Sequence, residues 1–95
     1  DVDVIAYVAT DGAALVRAAA YKAAGRAGVG VDVLAAAVVG EPVWWARRRA
    51  VVALKQFLVS SEAEEEGEDA GRALDVVVSA LSDPFWRVRH AANRS

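Results

Sequence analysis

One histidine, no cysteine and no methionine leave this 95-residue chain few groups that could make or break a bond. His90 sits between Arg89 and Ala91, and no carboxylate lies three or four residues from it. It therefore lacks the local partner that a general base needs. Without a thiol there is no cysteine nucleophile, no disulfide and no zinc finger. Gly25-Arg-Ala-Gly28-Val-Gly30 has the glycines of a phosphate loop but the wrong order for a dinucleotide fingerprint, and no Gly-Lys-Ser/Thr follows. It reads as a helix end and a turn, with Gly25 and Gly28 as the breakers. The chain is expected to be no enzyme, with no catalytic residue, no metal and no cofactor.

Binding chemistry is better represented. Arg47-Arg48-Arg49 is a basic run, and three consecutive residues cover about 200° of a helix, so they cannot share one contact. Arg48 and Arg49, with Lys55 and Gln56 one or two turns later and with Lys22, Arg26, Arg87 and Arg94, are expected to line one basic helical surface. Trp44 and Trp86 stand three residues before Arg47 and Arg89, and both are expected to pack against a neighbouring segment. Trp45 cannot face the same way and is the candidate exposed aromatic. The candidate partner-binding set is Trp45, Arg48, Arg49, Lys55, Arg87 and Arg94.

Those side chains need a scaffold, and composition says which kind. Hydrophobic residues make up 56% of the chain, but 22 are Ala and 17 Val against 6 Leu and one Ile. Small side chains suit closely approaching helices. The longest apolar run, Val33 to Val39, is far short of the roughly 20 residues of a membrane span, so no membrane is expected as a partner. No charged-then-apolar signal peptide opens the chain.

Three segments align without gaps on an acidic residue followed six places later by Arg. They begin at Asp11, Glu41 and Asp83 and place Arg17, Arg47 and Arg89 at spacings of 30 and 42 residues. Each is preceded by a second apolar stretch: Val2 to Ala9, Val31 to Val39, and Ala73 to Leu81. All are expected to be helices, including the β-branched Val76-Val77-Val78, because its counterparts in the other repeats are Ala-rich. Asp83-Pro84 is expected to be an N-cap followed by proline at the first helical position, with Glu41-Pro42 a poorer version. Val43, Ala46, Ala50, Leu54 and Phe57 recur at helical spacing and define one face.

Asp83-Pro84 with Val88-Arg89 and Ala91-Ala92, and Asp11 with Val16-Arg17 and Ala18-Ala19-Ala20, resemble the short HEAT repeats named after phycobilisome lyases. The second repeat departs from that pattern, with Glu41 in place of Asp and Ala46 in place of Val. The resemblance implies an all-α solenoid of about two and a half to three helical hairpins, five to six helices, stacked into a continuous core. The repeats are expected near 1–29, 30–59 and 69–95 of a single domain, with an acidic surface loop at 60–69. Within that loop Ser61 and Glu64 have the spacing of a capping box, and the same stretch suits an acidophilic kinase. The resemblance further implies a structural ladder of Asp11, Arg17, Glu41, Arg47, Asp83 and Arg89 along the stack, in which each acidic residue caps its own helix and the Arg six residues on reaches the turn of a neighbouring repeat. Both ends of the chain fall inside the pattern, which implies a longer parent chain or terminal faces covered by further repeats or another subunit. Iron-binding members of the superfamily carry repeated His-Glu pairs, and this chain has none.

The function this implies is a non-enzymatic scaffold or adaptor segment that binds a protein partner through a concave helical surface. A second reading is a nucleic-acid-binding module that uses a basic inner face. A third is the accessory helical region of a larger enzyme, of the bilin lyase or zinc aminopeptidase type. The net charge of −2 conceals two unlike parts: six acidic residues between Glu62 and Asp69, and a body of +4. Pairing Asp11 with Arg17, Glu41 with Arg47 and Asp83 with Arg89 leaves the body at +4. A mildly basic body favours an anionic partner, and the acidic stretch could occupy that face itself.

Overall fold

The computed structural model of the chain describes residues 7–60 and 68–93. Among them all regular structure is helical: α1 (Ala14–Ala27), α2 (Val31–Gly40), α3 (Trp44–Ser60), α4 (Glu68–Ser79) and α5 (Trp86–Asn93), with a 3-10 turn at Ala80–Ser82 joining the last two. The expected first helix, Val2 to Ala9, lies largely outside the described residues. So do most of the acidic loop at 60–69 and its Ser61/Glu64 capping box. At the loop's edges, Ser60 ends α3 and Glu68 and Asp69 open α4, so helix replaces loop there. Helix α4 takes in Val76, Val77 and Val78, where packing of one apolar face outweighs their β-branched preference.

Helix α3 is the centre of the structure and touches each of the other four helices. On one side α1, α3 and α5 lie in a row; on the other α2 packs beside α4. Ala46, Ala50, Val51 and Leu54 of α3 are fully buried between these rows, with Phe57 closing the same face and Val43 partly covered. Leu34 from α2, Ala73 from α4 and Val88 from α5 complete the interior.

Two glycines shape the first helix pair, and one acts differently from expectation. Gly28 ends α1 in the left-handed region, φ 70°, and its N–H returns to Ala24 O. Gly25 does not stop the helix, which continues to Ala27. A Cβ built on Gly25 would stand 2.8 Å from both Cα and Cβ of Ala53, so its missing side chain sets the approach of α1 to α3. The expectation failed because a glycine near a helix end and one at a helix crossing are alike in sequence.

Candidate functional site

The acidic residues do not cap their helices in the manner the Asp-Pro signal suggests. The residues at the helix caps are Ala13, Val43 and Phe85, whose carbonyls accept the N–H groups of Arg17, Arg47 and Arg89. Each acidic side chain sits two positions earlier and accepts the cap residue's own N–H. Asp11 Oδ1 receives Ala13 N at 2.9 Å, Glu41 Oε2 receives Val43 N at 3.0 Å, and Asp83 Oδ1 receives Phe85 N at 2.9 Å. These are side-chain turns leading into the helix rather than N-caps. Pro42 and Pro84 therefore precede the helix instead of opening it. Glu41 is no poorer at this than the aspartates, since its longer arm reaches the same group.

This geometry turns the second and third carboxylates toward the preceding repeat. Arg17 Nε and Nη2 donate to Glu41 Oε1 and Oε2, both at 2.7 Å. Arg47 Nε and Nη2 donate to Asp83 Oδ2 and Oδ1 at 2.7 and 2.8 Å. In each case Nη1 holds the arginine's own turn: Arg17 to Asp11 O and Gly12 O, and Arg47 to Glu41 O and, more weakly, Pro42 O. The ion pairs thus cross from one repeat to the next. Arg17 and Arg47 each span two repeats, with the fork on the next repeat's acid and Nη1 on their own turn. A planar guanidinium can bind a carboxylate with one edge and a backbone turn with its remaining nitrogen, which lysine cannot do.

Tyr21, unsignalled in the sequence, joins the first rung by donating its hydroxyl to Glu41 Oε1 at 2.7 Å. The Arg17 fork, helped by Tyr21 and Val43 N–H, holds the Glu41 carboxyl down at about 2. Burial, reinforced by the hydrogen bond to Glu41, pushes the Tyr21 hydroxyl up to about 12. Asp83 is likewise lowered, chiefly by the Arg47 fork. The position corresponding to Tyr21 in the second repeat is Val51, which is buried and has no donor.

The candidate binding residues separate into distinct groups. Arg49 meets Lys22 and Arg26 across the α1–α3 groove, in an open cleft of about 310 Å³ lined also by Val52, Ala53 and Gln56. All three cations are exposed, and none forms an ion pair among the described residues. Arg48 and Lys55 do not join them. Gln56 is seven residues after Arg49 and returns to its face, whereas Lys55 is six after it and points about 120° away. Lys55 Nζ donates to Ala91 O at 2.6 Å and so ties α3 to the end of α5. Arg87 lies over the rings of Trp44 and Trp86, 5.7 and 4.8 Å from their centroids. Arg94 lies outside the described residues.

Trp44 stacks on Phe85 with centroids 4.3 Å apart and planes 5° from parallel. Trp86 is the more open indole, 56% exposed against 38% for Trp45. His90 is exposed on α5. Among the described residues no group of three or more His, Asp or Glu side chains is placed to hold a metal ion, and no helix is long and apolar enough to cross a membrane.

Set against known protein families, curated proteins and solved structures, the chain finds no match. Its class is therefore the one its own geometry gives: an all-α protein whose repeated turns are tied by crossed arginine–carboxylate pairs.

Proposed function

We propose that the chain is a HEAT-type solenoid segment acting as a scaffold, and that it binds an acidic segment of a protein partner in the α1–α3 cleft. The observation that carries this reading is the convergence of Lys22, Arg26 and Arg49 on one open groove with no carboxylate in its lining. Arrays of this kind stack repeats with one helix of each pair along an inner surface, and the packing of α1, α3 and α5 side by side supports that reading. Val52 and Ala53 give the groove an apolar floor, so a peptide could gain from burial as well as charge.

The test is binding of a fluorescent glutamate-rich peptide, measured by anisotropy. Reversal of Arg49 or Lys22 to Glu should weaken binding at least about tenfold, as loss of a close charge contact does. Arg48→Glu makes the same change in net charge one position away and should change it less than about twofold. Equal losses for Arg48→Glu and Arg49→Glu would remove the cleft from the account. Tighter binding of a DNA duplex than of the peptide, with a steep salt dependence, would favour the nucleic-acid reading instead.

A further inference from the structure

The closed rungs define a register that the described residues leave unfinished at both ends. Counting from each acidic residue, the sixth position donates a guanidinium fork to the next acid in both closed rungs, the tenth adds a hydroxyl to that acid in the first, and the third stacks on the next repeat in the second. In the first repeat the sixth and tenth positions are Arg17 and Tyr21, and both donate to Glu41. In the second repeat the third position, Trp44, stacks on Phe85, and the sixth, Arg47, forks onto Asp83. In the third repeat these positions are Trp86, Arg89 and Asn93.

All three are exposed there. Arg89 Nη1 donates to Asp83 O at 2.7 Å, matching the turn contact of Arg17 and Arg47, but Nε and Nη2 have no hydrogen-bond partner among the described residues. Arg89 and Asn93 border one open cleft of about 390 Å³ with Leu81, Trp86 and His90. A guanidinium edge, a side-chain amide in place of the tyrosine hydroxyl and a half-exposed indole, with Arg87 over its ring, thus bring together the donor elements of the two closed rungs.

The acceptor side stands at the opposite end. Asp11 Oδ1 holds Ala13 N, as Glu41 and Asp83 hold their own turns, while Oδ2 has no partner among the described residues. Asp11 is exposed, and the apolar side chains around its turn are open too, with Tyr7 79% and Leu15 76% exposed.

We infer that copies of this chain associate head to tail, the Asp11 turn of one seating on the Arg89, Asn93 and Trp86 surface of the next. Arg89 Nε and Nη2 fork onto Asp11 of the partner copy. Asn93 donates to the same carboxylate as Tyr21 does to Glu41, and Trp86 covers Ala13 as Trp44 covers Phe85. The contact uses two different surfaces, so it repeats from copy to copy rather than closing as a two-fold dimer.

Sedimentation of the 95-residue chain over a wide concentration range tests this. The mass should rise with concentration beyond that of a dimer, and added salt should weaken the association. Asp11→Arg and Arg89→Asp should each weaken it at least tenfold, since each sets like charges face to face. The double variant, and an equimolar mixture of the two single variants, should regain it because opposite charges meet again. Trp86→Ala and Asn93→Ala should weaken it while leaving the helical circular dichroism unchanged. A wild-type chain that stays monomeric, a discrete dimer, or single reversals that associate like wild type would each overturn the inference.

Discussion

Arg17 and Glu41, 24 residues apart in the chain, meet through two parallel hydrogen bonds of 2.7 Å, with the carboxylate almost wholly covered. The same carboxylate receives Tyr21 and Val43 N–H, so four donors from three places in the chain depend on one side chain. Glu41→Ala should therefore cost about 3 kcal/mol, because it strands a guanidinium and a buried hydroxyl together. Urea unfolding checks this. Asp11→Ala, which loses one exposed turn contact, should cost under about 1 kcal/mol in the same experiment.

Acid should act on this rung in a defined window. The Glu41 carboxyl is held at about 2, against 4.5 in an unfolded chain. A lowered value in the folded state means that the group's stabilisation is fully present above 4.5 and is lost as pH falls toward 2. Thermal midpoints of Glu41→Gln should fall less steeply than wild type across that window, and parallel curves would refute the assignment. At the alkaline end Tyr21, raised from 10.0 to about 12, contributes stability below pH 10 that is lost as pH rises through 12. Ultraviolet titration should accordingly find a tyrosine that ionises only near pH 12, and Tyr21→Phe should remove that step.

Glycine-to-alanine changes should have opposite signs at two positions. At Gly71, exposed on α4, a Cβ meets nothing within 4 Å, so alanine should stabilise by about 0.5–1 kcal/mol. At Gly25 the new methyl meets the Ala53 backbone at 2.8 Å, and α1 must move off α3. Gly25→Ala should destabilise by about 1–3 kcal/mol despite its better helix propensity. Thermal unfolding of both variants gives the comparison.

The two equivalent tryptophans should differ in the same way. Trp44→Ala removes a stacked ring from Phe85 and should cost about 2 kcal/mol. Trp86→Ala removes an exposed ring and should change the stability of dilute, monomeric protein by less than about 0.5 kcal/mol.

Much of the architecture was legible in the sequence because it depends on short-range rules. Ala46, Ala50, Leu54 and Phe57 lie on one helical face by spacing alone, and the structure buries that face. The acid-to-arginine interval of six was visible three times, and each arginine does reach back to its own turn. The basic surface was legible only as a sum of charges. Which cations share a groove depends on how α1 crosses α3, and that brought Arg49 to Lys22 and Arg26 while turning Lys55 to the end of α5.

The sequence by itself determined that the chain is helical, that its unit recurs, and which residues bear charge at each turn. Tertiary structure decided the partners. The Glu41 carboxylate takes the Arg17 fork while its carbonyl takes Arg47, Gly25 is a crossing point rather than a stop, and Tyr21 is part of a rung. The physical reason is one of range. Periodicity and turn chemistry act over a few residues, whereas a guanidinium fork, a helix crossing and a stacked ring are fixed only when distant segments pack at one angle and distance.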